Sequence, residues 1–479
     1  MLMWVRIMQK SRTKLKRPVW HKRFKNRINP EVAQFMDSTK DDESLIHYEI
    51  QCSIAHSGML KKQGIINKQE FTKIKNGLNK ILNDCKKGKF KLSPELEDVH
   101  MNIEFQLKKE IGETAERLHT ARSRNDLIAT ELGLYCRDAI KEVLEGIIDL
   151  QRTILGQAQR YKNVIIPGYT HLQQAQPMLV SFYLSSFFYK FQRDFEQLIE
   201  LRKRINVSPL GSCAFAGTGI DIDRQYLARK LGFEKPCENA LDGISDRDFL
   251  IDFLYYLTRI MLHISTLAED LIIFSTNEFG IVELDDTLVT GSSIMPHKRN
   301  PDVCEILRAK SARAIGSLVS GLTILKGLPS SYNRDLQEIK SVLLNQVKET
   351  DDCLKTTRIL VGNCKFKTPG DDWVKKPNFM CAVDLIDFFV KKGRRFREIY
   401  GIIGECIRES KGDMKRFIQL VSKKTKIADN LIEKILTPVF SIKNKCSEGG
   451  TGPSAVEKTI RKMETNIRNN IVRLNRNNA

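Results

Sequence analysis

Acidic residues are missing from the first 30 positions, which hold ten lysines and arginines between Arg6 and Arg27. The 479-residue chain has a formal net charge of +20, so this arm carries half of it and leaves 68 bases against 58 acids elsewhere. A basic arm can bind nucleic acid or an anionic surface. No interleaving of arginine with aromatics and no nucleic-acid motif supports that here, so a solvated leader is the plain reading. The arm also lacks the Ser-rich amphipathic pattern of a transit peptide and the apolar core, about 7–15 residues long, of a secretory signal. No uncharged run approaches the roughly 18–20 residues that span a bilayer.

Paired cysteines are absent too. Eleven cysteines are scattered without one C-x-x-C, several of them, such as Cys136, Cys304 and Cys406, in apolar helical contexts. An odd, unpaired set fits reduced thiols in the cytoplasm. The eight histidines show no H-E-x-x-H or other ligand spacing, so neither a structural nor a catalytic metal is expected. There is no phosphate-binding glycine loop, no internal repeat and no sustained period-two alternation, which leaves little room for a sheet.

What is present is helical periodicity. Ile140, Val143, Leu144, Ile147, Ile154 and Ala158 fall on one stripe, as do Leu184, Phe187, Phe188, Phe191, Phe195, Leu198 and Ile205. Residues 249–274 are apolar nearly all round, and 304–325 repeat the stripe with Ile315, Leu318, Val319, Leu322 and Leu325. Four helices of about 20 residues or more imply rods of about 30 Å and an all-α fold with a long central bundle. The all-round apolar helix points to burial against other subunits. Thr368-Pro369-Gly370-Asp371 reads as a linker to a C-terminal helical segment.

Four polar segments interrupt the helices. They are His119-Thr120 with Arg122-Ser123-Arg124-Asn125-Asp126, then Gly168 to Pro177, Gly291 to Pro301, and Ser331 to Lys340. Arg124, Lys298 and Lys340 are cations suited to carboxylates; Asn125, Thr170, Gln337 and Asn300 are hydrogen-bond donors. His171 can move a proton near neutral pH. Ser292 and Ser293 sit in a Gly-Ser setting close to a lysine. Such parts suit a small polyanionic substrate undergoing proton transfer. Singly they are weak: Ser123 or Asn125 could merely cap a helix, and His171 could be structural.

Residues 291–301 contain Gly-Ser-Ser-x-Met-Pro-x-Lys-x-Asn-Pro, the signature of the fumarase/aspartase superfamily. The segment 119–126 is similar to the H-T-G-R-S-R-N-D of argininosuccinate lyases. Residues 168–177, 209–217, 221–224, Asp242 with 245–249, 328–340 and 449–453 resemble further stretches of that family, so the likeness runs from about residue 18 to about 460. Departures occur at His21, Lys22, Asp37, Cys213, His297 and Arg299.

The resemblance implies a three-domain, all-α fumarase/aspartase-type fold packed as a homotetramer. The segments would be a basic extension over 1–17, an N-terminal helical domain over 18–123, the bundle over 124–367 and a C-terminal helical domain over 368–479. It implies reversible cleavage of L-argininosuccinate to L-arginine and fumarate, the last step of arginine biosynthesis, without cofactor. Ser292 and His171 would move protons, and Lys298 and Asn300 would stabilise developing charge. Ser38, Arg124, Asn125, Thr170, Tyr332, Gln337 and Lys340 would contact substrate. Another fumarate-releasing lyase of the superfamily, or a non-catalytic crystallin-like relative, remains an alternative at this point.

Overall fold

The computed structural model describes residues 28–370 and 372–476. The readings of the basic extension and of His21 and Lys22 fall outside them.

Six long helices dominate the described residues: Arg124–Arg160, Val180–Arg204, Asp248–Ser275, Asp302–Leu325, Glu338–Gly362 and Pro453–Arg476. The first, of 37 residues, is roughly 55 Å long. It starts where the Ser123 Oγ accepts the Asn125 N–H at 3.2 Å and the Asp126 carboxylate accepts the Ser123 N–H at 3.2 Å, so orphan amides of the first turn are satisfied. Its expected stripe, Ile140 to Ala158, is buried throughout, as are Phe253, Leu257, Met261 and Ile264 of the third long helix. The fifth helix is not among the four read from the sequence, since its entry is the polar segment Ser331–Lys340. Leu343, Leu354 and Leu360 nonetheless bury fully.

The Asp302–Leu325 helix differs from expectation in direction. Cys304, Leu307 and Ala314 are its buried face, whereas Ile306, Ile315, Val319 and Leu322 are about half exposed at 56, 45, 55 and 49%. Of the apolar stripe read from the sequence, Ile315, Val319 and Leu322 are thus left uncovered in the single chain, while Leu318 and Leu325 are half-buried.

Contacts divide the chain into two compact units, with division points inside the long helices. The first unit holds residues to Lys141, Leu198–Tyr255 and Gly316–Val347; the second holds Glu142–Gln197, Tyr256–Ile315 and the residues from Lys348 on. In the first unit the helices Ile46–Lys62, Lys68–Lys86 and Val99–Ile111 pack through Ile50, Met59, Ile74, Leu78, Ile103 and Leu107. Two of them come so close that a Cβ on Gly77 would lie 2.7 Å from Leu107 Cδ1, which explains the small residue there.

In the second unit a C-terminal helical cluster buries Leu385, Phe389, Ile403, Phe417, Val421 and Ile435. Asp194, 1% exposed, joins two long helices by accepting from Arg259 Nη2 at 2.7 Å and pairing with His263 Nδ1 at 2.6 Å. Asp194→Ala is expected to destabilise the chain by about 2–3 kcal/mol in urea unfolding, since Arg259 keeps some solvent but loses its buried partner. An unchanged midpoint would show the pair to be dispensable.

Residues 161–179 depart from the loop read in the sequence. The helix ends at Arg160, and Ile165–Thr170 pairs antiparallel with Gln173–Leu179. His171 and Leu172 form the two-residue tip with φ of 54° and 56°, the left-handed pair that such a hairpin needs. Neither is Gly or Asn, so the tip is strained by about 1 kcal/mol or more per residue. Among the described residues, no helix is long and apolar enough to cross a membrane.

Candidate active site

In the first unit a polar cavity of about 110 Å³ is lined by Ser38, Arg124, Asn125, Tyr332, Gln337 and Lys340, together with Glu97, Asp98 and Arg334. Six of the seven residues expected to contact substrate therefore share one cleft. Local structure explains why. Asp98 caps the Val99–Ile111 helix by accepting the Met101 N–H at 2.8 Å, and its other oxygen accepts from Arg124 Nη1 at 2.6 Å. Arg334 reaches Glu97 at 2.6 Å and the Met36 carbonyl at 3.0 Å, and Gln337 donates to the same carbonyl at 3.3 Å. Beneath them the buried Lys340 ammonium pairs with Asp42, which also accepts from the Ser38 hydroxyl at 2.9 Å.

Two of the expected clamps are thus already engaged. The Arg124 guanidinium lies against Asp98, and Lys340 against Asp42. Burial works against the Arg124 cation, yet Asp98 and Glu97 more than offset it and hold its pKa above the ordinary value. The sequence reading missed Asp42, Glu97 and Asp98. Asp98 was findable as an N-cap ahead of an apolar run; the other two carry no local signal.

The Arg-Ser-Arg-Asn-Asp segment combines capping with placement. Ser123 caps, while the Asn125 amide donates to the Ala214 carbonyl at 3.0 Å. Asp126 Oδ2 accepts the Gly211 and Cys213 N–H groups at 2.9 Å each. Burial nevertheless pushes Asp126 up to about 6 against those hydrogen bonds. Behind this segment lies a buried set of ionisable groups: Glu49, Glu131, His100 and Arg122. Burial and the neighbouring Glu49 charge drive Glu131 well above the usual carboxylate range. Burial opposes the Glu49 charge, but His100 and Arg122 prevail and hold its carboxyl below that range.

The remaining expected residues lie in the second unit. Thr170 and His171 are exposed on the strained hairpin tip. Ser292 lies in the signature loop, where its Oγ accepts the backbone N–H groups of Ile294 at 3.3 Å and Met295 at 3.1 Å. Asn300 closes the neck of that loop: its N–H donates to Thr290 O at 2.8 Å and its side chain to Gly291 O at 3.4 Å. Lys298 is exposed and has no ion-pair partner among the described residues. Arg299 is tied to Asp286 and to the Leu284 carbonyl.

The first unit thus holds a polar cleft with cations and carboxylates, and the second, taken by itself, holds a serine hydroxyl that accepts two amides and an exposed histidine. Residues 22–316 match a family described as lyase. The fold is that of solved lyases: the structure of EDDS lyase in complex with formate has a TM-score of 0.80 at 24% identity, covering 91% of this chain and 88% of that one. Class II fumarase from Schistosoma mansoni gives 0.71 at 16% identity, covering 85% and 91%.

Curated relatives narrow the class. The argininosuccinate lyase of Gloeothece citriformis is 40% identical over 94% of this chain and 99% of its own length. That of Syntrophus aciditrophicus is 41% identical over 93% and 95%. The chain belongs to the argininosuccinate lyase family, and so to the carbon–nitrogen lyases of the fumarase/aspartase superfamily.

Proposed function

We propose that the protein cleaves L-argininosuccinate reversibly to L-arginine and fumarate in the cytoplasm, as the last step of arginine biosynthesis. The observation that carries this reading is the six-residue cleft of the first unit, together with the signature loop that presents Ser292. A proton leaves the carbon beside a carboxylate, charge spreads into that carboxylate, and the C–N bond breaks as the leaving nitrogen gains a proton.

A serine hydroxyl is a poor base unless its oxyanion is stabilised. The two N–H groups that point at Ser292 Oγ favour that form, which supports Ser292 as the group that takes the proton. His171 then supplies the proton to nitrogen. Lys298 and Asn300 stabilise the doubly charged intermediate, the term that usually contributes most to catalysis. Arg124, Asn125, Tyr332, Gln337, Lys340, Ser38 and Thr170 hold the substrate; Arg124 exchanges Asp98 for a substrate carboxylate or holds Asp98 in place.

The active species is a homotetramer whose copies bring hairpin tip, signature loop and cleft together. The uncovered stripe of Ile306, Ile315, Val319 and Leu322 supports assembly, since a contiguous exposed apolar face marks an interaction surface. The three-segment division at 18–123, 124–367 and 368–479 belongs to the same reading.

Purified protein mixed with L-argininosuccinate should release fumarate, followed by its ultraviolet absorbance. Folded, tetrameric protein that released none would remove the substrate assignment. Fumarate from adenylosuccinate or aspartate instead would place the activity elsewhere in the superfamily.

A further inference from the structure

We propose that His100, Glu104 and His119 form a binding site for a divalent transition-metal ion of the zinc class, with a fourth position open to water. The site stands apart from the lyase reading and does not depend on it.

His100 and Glu104 lie one helical turn apart on the Val99–Ile111 helix, so they share a face. His119 ends the short helical segment Gly112–His119 and turns back toward them. His100 Nε2 is 3.9 Å from one Glu104 oxygen, and His119 Nδ1 is 3.9 Å from the other. The three ligand atoms lie within 4.8 Å of one another. A tetrahedral ion with bonds of about 2.0–2.2 Å needs its ligand atoms about 3.3 Å apart. Closing to that spacing from within 4.8 Å takes shifts of up to about 1.5 Å, within reach of rotations of Glu104, which is half-buried, and His119, which is exposed.

The second observation is the state of His100. Its side chain is 2% exposed, yet neither ring nitrogen makes a hydrogen bond among the described residues. A buried ring nitrogen without a hydrogen bond is rare and costly, and Nε2 has only the 3.9 Å approach to Glu104. A metal on Nε2 removes that cost. Nδ1 already lies 3.4 Å from the buried Glu49 carboxylate. That is the carboxylate–histidine–metal relay that fixes the ring of a ligating histidine.

Two imidazoles and a carboxylate select zinc, cobalt or nickel over magnesium and calcium, which prefer oxygen ligands. Arg122 and Arg124 oppose a cation near His119; Glu49 and Glu104 offset them. An ion here would tie His119, at the entry to the Arg124–Arg160 helix, to the helix whose capping Asp98 holds Arg124. The eight histidines gave no ligand spacing in the sequence because the third ligand comes from another segment.

The test is titration of untagged protein with Co²⁺. Intense visible bands of a four-coordinate ion should saturate at one per chain and disappear on adding Zn²⁺, but not on adding Mg²⁺. Glu104→Gln and His119→Ala should each lower Co²⁺ affinity at least 10-fold. In parallel, Zn²⁺ should raise the unfolding temperature of the wild type and leave that of the variants unmoved. Absence of the bands, bands unchanged in both variants, or a near-ultraviolet thiolate band marking a cysteine site would overturn the proposal.

Discussion

Ser292→Ala is expected to lower kcat for fumarate release by about 10³-fold or more, with KM for argininosuccinate within a few-fold of wild type. Positioned proton transfer contributes typically about 10²–10⁴-fold. Ser292 also holds its amide-stabilised Oγ as the only group proposed to take the substrate proton. The loop itself should not suffer. Ile294, whose N–H donates to Ser292 Oγ, is 84% exposed, so water replaces the lost acceptor. Stability should then change by less than about 0.5 kcal/mol, as for other surface substitutions. The neighbouring Ser293→Ala, which removes a hydroxyl outside that nest, is the control and should keep most activity. Steady-state kinetics on both variants, with the oligomeric state measured alongside, separates chemistry from folding. If Ser292→Ala kept more than a tenth of the wild-type kcat, proton abstraction would have to move to His171 or elsewhere.

Long-range order and local signal divide unevenly in this chain. The long helices were legible because burial of Ile140, Val143, Phe191 or Leu257 repeats at helical spacing, and that spacing survives any tertiary arrangement. Direction was not. Ile315, Val319 and Leu322 form as good a stripe as the buried ones, yet they face outward, because periodicity identifies an apolar face without saying whether the same chain covers it.

The hairpin was invisible for a different reason. Its strands are rich in glutamine and proline, and its tip is His171-Leu172, not the Asn-Gly or Asp-Gly that announces such a turn. The site residues came from motifs, and six of them meet in one cleft. Their immediate partners did not come with them. Asp42 and Glu97 reach the cleft through contacts spanning hundreds of positions, such as Glu97 with Arg334, and no window along the sequence contains both ends.

Lys340→Met should be the most destabilising single change in the cleft, by about 3–5 kcal/mol, because it leaves a buried carboxylate without its cation. Lys340 is 4% and Asp42 1% exposed. With the ammonium gone, Asp42 would keep the Ser38 hydroxyl at 2.9 Å and the Val99 N–H at 3.1 Å, which is too little to solvate a full charge. Its neighbours would suffer as well: burial already raises the pKa of Asp41 and Glu131, and Lys340 opposes both rises.

The sign of the pH dependence follows. Losing Lys340 lets burial raise the Glu131 carboxyl further above its unfolded value, so its protonated form is favoured on folding. That contribution is complete at low pH and is lost as pH rises through the folded pKa. The deficit against wild type should therefore narrow as urea unfolding is repeated from about pH 8 down to about pH 5. Adding Asp42→Asn to Lys340→Met should restore a large part of the stability, since neither charge of the pair remains. A double-mutant cycle measures that coupling directly. Additive losses in the cycle, or a deficit that widens at low pH, would show that Lys340 stabilises the cleft by packing its aliphatic stem and not by its charge.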